Sequence, residues 1–190
     1  MSQKKDKEKI IFFRESIFKV AELIFNSPNK TFHIRMLEKE AGISTTAVID
    51  SIKKLKDYDI IKLEETPLTT NVRANMDSEA YRFYKLLFNL YRLKRYKFID
   101  NLIEVFNNPE AIVLFGSFAK GEDIEESDID ILVISSHKNQ EDFNDMMGKF
   151  EEELNRKINI LILDSLAKSS NEFRNAVANG IVLHGYLKIL

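Results

Sequence analysis

A glycine–serine pair between two short apolar runs is the feature that most constrains how this chain can fold. The first run, Ala111–Phe115, stops at Gly116-Ser117, and ten residues later Asp128-Ile129-Asp130 opens the second run. Both runs have the length of strands. Because side chains alternate along a strand, Asp128 and Asp130 are expected to project from one face. The sequence therefore predicts a strand, a glycine-containing loop and a second strand that carries two carboxylates side by side.

The chemistry of these residues favours a cation and a phosphate. Two adjacent carboxylates repel each other unless a cation lies between them, and their hard oxygens suit Mg²⁺ or Mn²⁺ better than zinc. Gly116 allows the backbone to approach a ligand closely. Ser117 is predicted to begin a short helix, 117–120, where free N–H groups and the hydroxyl can hold a phosphate. Each half alone is common in turns and strand ends, but the combination indicates metal-assisted transfer of a nucleotide.

The spacing Gly-Ser-(ten residues)-Asp-x-Asp resembles the signature of the DNA polymerase β-like nucleotidyltransferase superfamily, particularly its minimal nucleotidyltransferase branch. The resemblance runs from about Ala111 to Gly185. It implies an NTP substrate and a Mg²⁺ or Mn²⁺ cofactor, bound by the catalytic carboxylates Asp128 and Asp130. Gly116 and Ser117 would hold the β- and γ-phosphates. The branch includes antitoxin-type members that adenylylate a partner toxin, which makes a protein one of the acceptors implied.

The third carboxylate of that superfamily falls, by the resemblance, on Asn159. An amide keeps an oxygen ligand at the nucleotide-binding site but brings no negative charge. We expect the amide to weaken binding of the metal that activates the nucleophile more than binding of the metal that accompanies the nucleotide. Nucleotide binding is therefore expected, and catalytic turnover is in doubt. Four acidic residues of the intervening loop are alternative, less favoured ligands: Glu122, Asp123, Glu125 and Glu126.

Composition excludes several classes of protein. The 190 residues are 44% hydrophobic and 31% charged, an ordinary globular balance, and the chain has no cysteine for disulfides, zinc–thiolate sites or thiol chemistry. No apolar run approaches the roughly 18 residues that a membrane helix needs. The N-terminus lacks an apolar signal core, so a cytoplasmic protein without a membrane partner is expected.

Charge is divided unevenly along the chain. Residues 1–105 hold 20 lysines and arginines against 15 acidic residues, whereas residues 106–190 hold 8 against 15. The basic part suits a polyanion and the acidic part suits a metal, so two parts with different partners are indicated.

The N-terminal part has the periodicity of three helices followed by a hairpin. Helices are predicted over Ile10–Asn26, Ile34–Glu40 and Thr45–Tyr58, with Ser44 as the cap of the third. Strands are predicted over 60–64 and 70–75, with a turn at 66–68. This order resembles the winged helix of prokaryotic transcription regulators, from about Ile10 to Ala74. Asp59 is a departure, because a glycine usually ends the recognition helix.

The resemblance implies a set of DNA-contacting residues. The second helix of a helix–turn–helix enters the major groove with its N-terminal residues at the base edges. Those residues would be Ser44, Thr45 and Thr46, and the phosphate contacts would be Lys53, Lys54 and Arg73. No arginine, glutamine or asparagine on that helix is placed for a bidentate base contact, and Asp50 would face phosphates unfavourably. A protein-interaction or dimerisation module is therefore the competing interpretation.

The expected fold class is α+β: a winged helix–turn–helix domain over 1–77, a connecting helix over 78–106 and a nucleotidyltransferase domain over 107–190. The connecting helix exceeds the usual helix length and is expected to bend or break near 92–97. The last domain is expected to be a small mixed sheet with helices on one face, including one over Ser165–Ala178. A homodimer through the connecting helix is left open.

Three functions remain. The first is an active nucleotidyltransferase, with an acceptor and NTP that the sequence does not name. The second is a DNA-binding transcriptional regulator whose degenerate, ATP-binding domain senses a magnesium–nucleotide complex. The third is an interaction protein in which both domains only bind. The sequence favours the first despite Asn159.

Overall fold

The chain is described here by a computed structural model covering residues 15–66, 69–136 and 140–188. It divides into two compact units, Met1–Ser78 and Glu79–Leu190. The predicted start of the first helix at Ile10 lies outside the described residues, as do Pro67 and Leu68 of the predicted turn.

The first unit contains helices α1 (Glu15–Asn26), α2 (Ile34–Ala41) and α3 (Thr45–Asp57). Its strands are β1 (Phe32–His33), β2 (Ile61–Glu65) and β3 (Thr70–Ala74), in the antiparallel order β1-β3-β2. Apolar residues recur at helical spacing in these three helices, so each helix has one apolar face. These faces form the buried core of the unit, which includes Val20, Ile24, Leu37, Val48 and Leu55.

Local hydrogen bonds and left-handed residues set the limits of α2 and α3, within one residue of the predicted positions. Gly42 adopts a left-handed conformation after α2, and its N–H bonds Glu38 O at 3.0 Å. The Ser44 side chain accepts the Ala47 N–H at 3.3 Å and caps α3. Asp59 is left-handed at φ 58°, and Asn75 Nδ2 donates to its Oδ1 at 2.8 Å and its carbonyl at 3.2 Å. Those two hydrogen bonds stabilise a conformation that glycine would adopt without strain.

The second unit contains a four-stranded mixed sheet. Its helices are α4 (Glu79–Arg95), α5 (Phe98–Val105), α6 (Gln140–Leu154) and α7 (Asn171–Ala178), with a 3-10 turn at Phe118–Lys120. Its strands are β4 (Ala111–Phe115), β5 (Ile129–Ile134), β6 (Ile158–Leu163) and β7 (Ile181–Gly185). They lie in the order β6-β5-β4-β7, with β5 and β6 parallel and the other pairs antiparallel. The expected α+β class is confirmed.

The long helix expected over 78–106 is two helices. Lys97 takes a left-handed conformation at φ 56° between α4 and α5, and its N–H bonds Lys94 O at 3.0 Å. The break falls within the stretch where the sequence predicts one.

Helices cover both faces of the sheet, so the expectation of a single covered face is wrong. Alternate residues of β4 enter two separate cores: Ile112 and Leu114 pack with α4, α5 and α6, whereas Ala111 and Val113 pack with α7. The strands are apolar on both sides, which requires this arrangement.

Two elements begin later in the structure than the sequence predicts. The helix predicted from Ser165 begins at Asn171, because Ser170 accepts the Phe173 N–H at 3.2 Å and caps it there. The preceding segment turns, with Ser169 N–H on Leu166 O, and buries Leu166. The strand predicted from Asp128 begins at Ile129, which leaves Asp128 exposed at its entrance.

Candidate active site

Strand register brings Asp130 and Asn159 together. They are direct partners across the parallel strands β5 and β6, and Asn159 Nδ2 donates to Asp130 Oδ1 at 3.2 Å. Asn159 therefore supports one carboxylate oxygen as a hydrogen-bond donor. The sequence places it as an oxygen ligand, and the structure adds this second use of its amide.

The Gly116 turn lies against the other oxygen of the same carboxylate. Phe115 at the end of β4 is the cross-strand partner of Asp130, and Gly116 follows with φ 75°. A Cβ added at Gly116 would overlap Asp130 Oδ2. Glycine is thus required here for its left-handed backbone and for the absence of a side chain.

Asp128 and Asp130 are close enough to influence each other. Burial raises the pKa of Asp130, the Asn159 hydrogen bond lowers it, and the charge of Asp128 raises it again; the net direction is upward. A carboxylate whose ionised form is disfavoured by burial and by a neighbouring carboxylate is one that a cation would stabilise.

The donors present fit a divalent cation on one side of this site. Asp128 and Asp130 supply carboxylate oxygens, the ligands that Mg²⁺ and Mn²⁺ prefer. Within the described ranges, no group of three or more histidine, aspartate or glutamate side chains is placed to hold a metal. A cation at this site would therefore take the Asp128 and Asp130 carboxylates as protein ligands, and its further ligands would be water or phosphate oxygens.

Ser117 begins the turn that follows Gly116. Its carbonyl accepts the N–H groups of Lys120 and Glu122 at 3.0 and 3.1 Å, and the residue is half-buried. The short helix starts at Phe118. Gly116 and Ser117 thus form a compact turn directly beside the carboxylate pair.

A cleft of about 640 Å³ opens next to Asp128. Asp128 lines it, whereas Asp130, Gly116 and Ser117 do not. Its remaining lining residues are mainly charged and come from the loop before β5 and the end of α6: Glu125, Glu126, Ser127, Glu151, Asn155, Arg156 and Lys157.

The loop aspartate Asp123 is not a free ligand. It is 2% exposed, and its Oδ2 lies 3.0 Å from Lys85 Nζ. Asn89 Nδ2 donates to Asp123 Oδ1 at 2.7 Å. Burial lowers the pKa of Lys85 more strongly than the Asp123 carboxylate raises it. The sequence offers Asp123 only as a less favoured metal ligand and does not predict this cluster; the available signal is a lysine within the apolar stripe of α4.

The basic residues near the end of α4 do not all face solvent. Arg92 is buried and donates to Leu154 O, and Lys94 pairs with Asp100 at 2.9 Å. Arg92 therefore joins α4 to the end of α6, whereas Lys94 stays at the surface.

The predicted DNA-contacting residues lie in the first unit. Thr45, Thr46 and Lys53 are exposed on α3, and Lys54 is half-buried. The Ser44 hydroxyl is exposed while it caps the helix. Arg73 on β3 is exposed, with its Nη2 3.8 Å from Glu64 Oε2. The side chains are grouped around one helix and one hairpin, and Glu64 partly offsets the arginine charge.

Residues 97–186 match the family model described as polymerase beta, nucleotidyltransferase. This segment is slightly less than half of the chain and contains the Gly116 turn, both aspartates and Asn159. The match supports a nucleotidyltransferase domain in this segment.

A chain in the crystal structure of a mutant of the toxin–antitoxin MntA-HpeT is 24% identical over the matched region. The match covers 48% of this chain and 72% of that chain, with a TM-score of 0.37. No significant match was found among curated proteins. In the described parts of the chain, no helix is long and apolar enough to cross a membrane.

Proposed function

We propose that this protein is a metal-dependent nucleotidyltransferase that moves a nucleoside monophosphate from an NTP to a hydroxyl acceptor, which includes a protein side chain. The observation that carries the proposal is the contact between the Gly116 backbone and Asp130, next to Asp128. A left-handed glycine turn lies directly against the Asp130 carboxylate, and a cation bound by Asp130 and Asp128 would stabilise the ionised form of both side chains.

In the proposed reaction the acceptor oxygen attacks the α-phosphorus of the NTP. The bond from that phosphorus to the bridging oxygen breaks, pyrophosphate leaves with the electron pair, and the hydroxyl proton passes to solvent. A bound Mg²⁺ or Mn²⁺ supplies positive charge that favours the ionised hydroxyl and neutralises the leaving pyrophosphate.

The residues of this chain hold and orient the reactants. Asp128 and Asp130 would hold the cation, and Gly116 and Ser117 would receive the β- and γ-phosphates. Asn159 keeps the Asp130 carboxylate in place through its hydrogen bond. Asp128 lies at the entrance of β5 and also lines the cleft, so an acceptor in that cleft would reach the metal-binding side of the site.

The experiment is transfer of label from α-³²P-labelled NTPs with Mg²⁺ or Mn²⁺, using purified protein and lysate of its host. We expect label on a discrete acceptor, and loss of that label in Asp128→Asn/Asp130→Asn. Asp100→Asn is the matched control, because it removes an exposed carboxylate of the same unit that pairs with Lys94. Absence of transfer with all four NTPs would refute the proposed nucleotidyltransferase activity.

The second candidate function is DNA-binding regulation, and the arrangement of the first unit favours it. The exposed N-terminal turn of α3 precedes the β2–β3 hairpin, the order of a winged helix. In this proposal Ser44, Thr45 and Thr46 approach base edges, Lys53, Lys54 and Arg73 contact phosphates, and nucleotide bound to the second unit is sensed. A homodimer would place two α3 helices on successive half-sites.

Its test is binding to duplex DNA as a function of salt. If three cationic residues contact phosphates, the slope of log affinity against log salt is about −2.7, and Lys53→Gln reduces its magnitude by about 0.9. Lys94→Gln is the control, since Lys94 is exposed but lies in the second unit. Binding that is weak and unaffected by Lys53→Gln would favour a protein-interaction module.

A further inference from the structure

We infer that Lys85, Asn89 and Asp123 form a positioning cluster that holds the loop 116–128 on helix α4. This loop carries the Gly116-Ser117 turn at one end and Asp128 at the other. The catalytic meaning of the cluster rests on the proposed transferase, whereas its effect on the loop is a separate, measurable property.

The cluster is withdrawn from solvent. Lys85 and Asp123 side chains are each 1% exposed and form an ion pair at 3.0 Å, and Asn89 is fully buried. Burying two charges carries a desolvation cost that often offsets their attraction, so apolar residues would stabilise such a position as well or better. We therefore assign this ion pair a positioning role: it fixes where the Asp123 carboxylate lies, rather than adding net stability.

Asn89 connects α4 to two points of the loop at once. Its Nδ2 donates to Phe118 O at 3.0 Å and to Asp123 Oδ1 at 2.7 Å. Phe118 directly follows Ser117, and the Ser117 carbonyl accepts the Lys120 and Glu122 N–H groups. The hydrogen bonds thus continue from a helix side chain into the proposed phosphate turn.

The loop backbone also lies directly on the helix. Gly121 has φ 68°, and a Cβ added there would overlap the carbonyl oxygen of Arg82 in α4. The loop can approach α4 this closely only because residue 121 has no side chain.

Helix α4 ends at Arg95 and lies outside the matched segment 97–186. The loop that bears the proposed site is therefore positioned by a helix that precedes that segment. Lys85 and Asn89 are positioning residues, because they act on the site through Phe118 and Asp123.

The experiment uses the full chain and compares Asn89→Leu with Asn75→Leu. Asn75 is a matched control: it also donates to one carbonyl and one aspartate oxygen, but in the first unit. Amide hydrogen exchange of the loop and binding of α,β-methylene-ATP with Mg²⁺ are measured for both variants and the wild type. Asn89→Ser, which adds no bulk at this buried position and keeps a hydroxyl donor, replaces the leucine variant if that variant does not fold.

We expect Asn89→Leu to accelerate exchange of the Lys120 and Glu122 amides at least tenfold, with β4 and β5 unchanged, and to weaken nucleotide binding about tenfold. Asn75→Leu should change neither. Unchanged loop exchange, or acceleration spread evenly over the second unit, would overturn the positioning inference. If the wild type binds no nucleotide while loop exchange still responds to Asn89→Leu, the proposed function fails and the positioning inference stands.

Discussion

Asp130 is the residue on which the candidate site converges, since each of its carboxylate oxygens meets a different neighbour. Oδ1 accepts from Asn159, and Oδ2 lies against Gly116. Burial and Asp128 together raise its pKa despite the Asn159 hydrogen bond. The folded protein therefore binds the Asp130 proton more tightly than the unfolded chain does.

This linkage gives a pH prediction. Ionisation of Asp130 opposes folding as the pH rises through its raised pKa, and the effect vanishes at acid pH where both states are protonated. In EDTA, Asp130→Asn should raise the free energy of unfolding at pH 7.5 by at most about 1 kcal/mol, because the group is largely solvated, and the gain should shrink toward pH 4. Urea denaturation at several pH values measures it; Asp100→Asn should show no such gain.

Asn159→Asp tests the second neighbour of Asp130. The change replaces a hydrogen-bond donor by a third carboxylate at a cross-strand position. Without metal we expect a loss of about 1–2 kcal/mol of stability, because a hydrogen bond becomes a repulsion. Mg²⁺ should reverse the loss and bind more tightly than in the wild type.

Denaturation with and without Mg²⁺, alongside calorimetric titration of the metal, measures both effects. Asn101→Asp is the control, because Asn101 is in α5 and its side chain donates to the Lys97 carbonyl, within the same helical turn. Equal Mg²⁺ affinity in wild type and Asn159→Asp would argue against a metal at Asp130.

At the scale of secondary-structure elements, the turn after β4 determines whether the proposed phosphate-binding side of the site can form. Gly116→Ala combines a left-handed backbone with overlap on Asp130 Oδ2. We expect a loss of about 2–3 kcal/mol in stability and loss of label transfer, since the turn and the carboxylate cannot keep their contact.

Two other glycines separate the causes. Gly42 is left-handed with open space around it, so Gly42→Ala should cost about 1–2 kcal/mol and leave transfer unchanged. Gly148 in α6 also has open space and no positive φ, so Gly148→Ala should be neutral or stabilising by up to about 1 kcal/mol. Thermal and urea unfolding rank the three variants; transfer retained in Gly116→Ala would contradict the proposed turn.

The contact between α4 and the loop predicts a strong non-additivity. Lys85→Met leaves the buried Asp123 charge without its cation and should cost about 3–5 kcal/mol. In Lys85→Met/Asp123→Leu most of that loss should be recovered. Lys94→Met breaks an exposed pair and should change stability by less than about 1 kcal/mol. A double-mutant cycle in urea measures the coupling, and additive losses would show that the pair is not coupled.

At the scale of the whole molecule, the matched segment 97–186 is smaller than the unit that contains it. That unit begins at Glu79, and α4 supplies Leu93 to its core as well as the partners of Asp123. A fragment 79–190 should therefore unfold cooperatively, whereas 97–190 should not, because it loses the apolar residues that α4 adds to the core and the partners that hold Asp123. Circular dichroism during urea denaturation distinguishes the two; cooperative unfolding of 97–190 would show that α4 is dispensable.

Features that depend on neighbours along the chain were determined by the sequence itself. Ser44 caps α3 because a side-chain oxygen three residues before a free N–H needs no distant partner. The break between α4 and α5 and the turn at Gly116 are local for the same reason. The Gly-Ser and Asp-x-Asp residues predict the candidate site through their chemistry and through their resemblance to a family signature.

Only the tertiary structure decided which distant groups meet. Lys85 lies in a helix and Asp123 lies in a loop. They pair because both side chains are buried in the fold, and no local sequence pattern links them. Three other features also depend on contacts between distant parts of the chain. They are the helices on both faces of the sheet, the hydrogen bond from Asn159 to Asp130 and the burial of Arg92. The physical reason is that burial and charge pairing act through space, so residues far apart in sequence must be brought together before their energies are set.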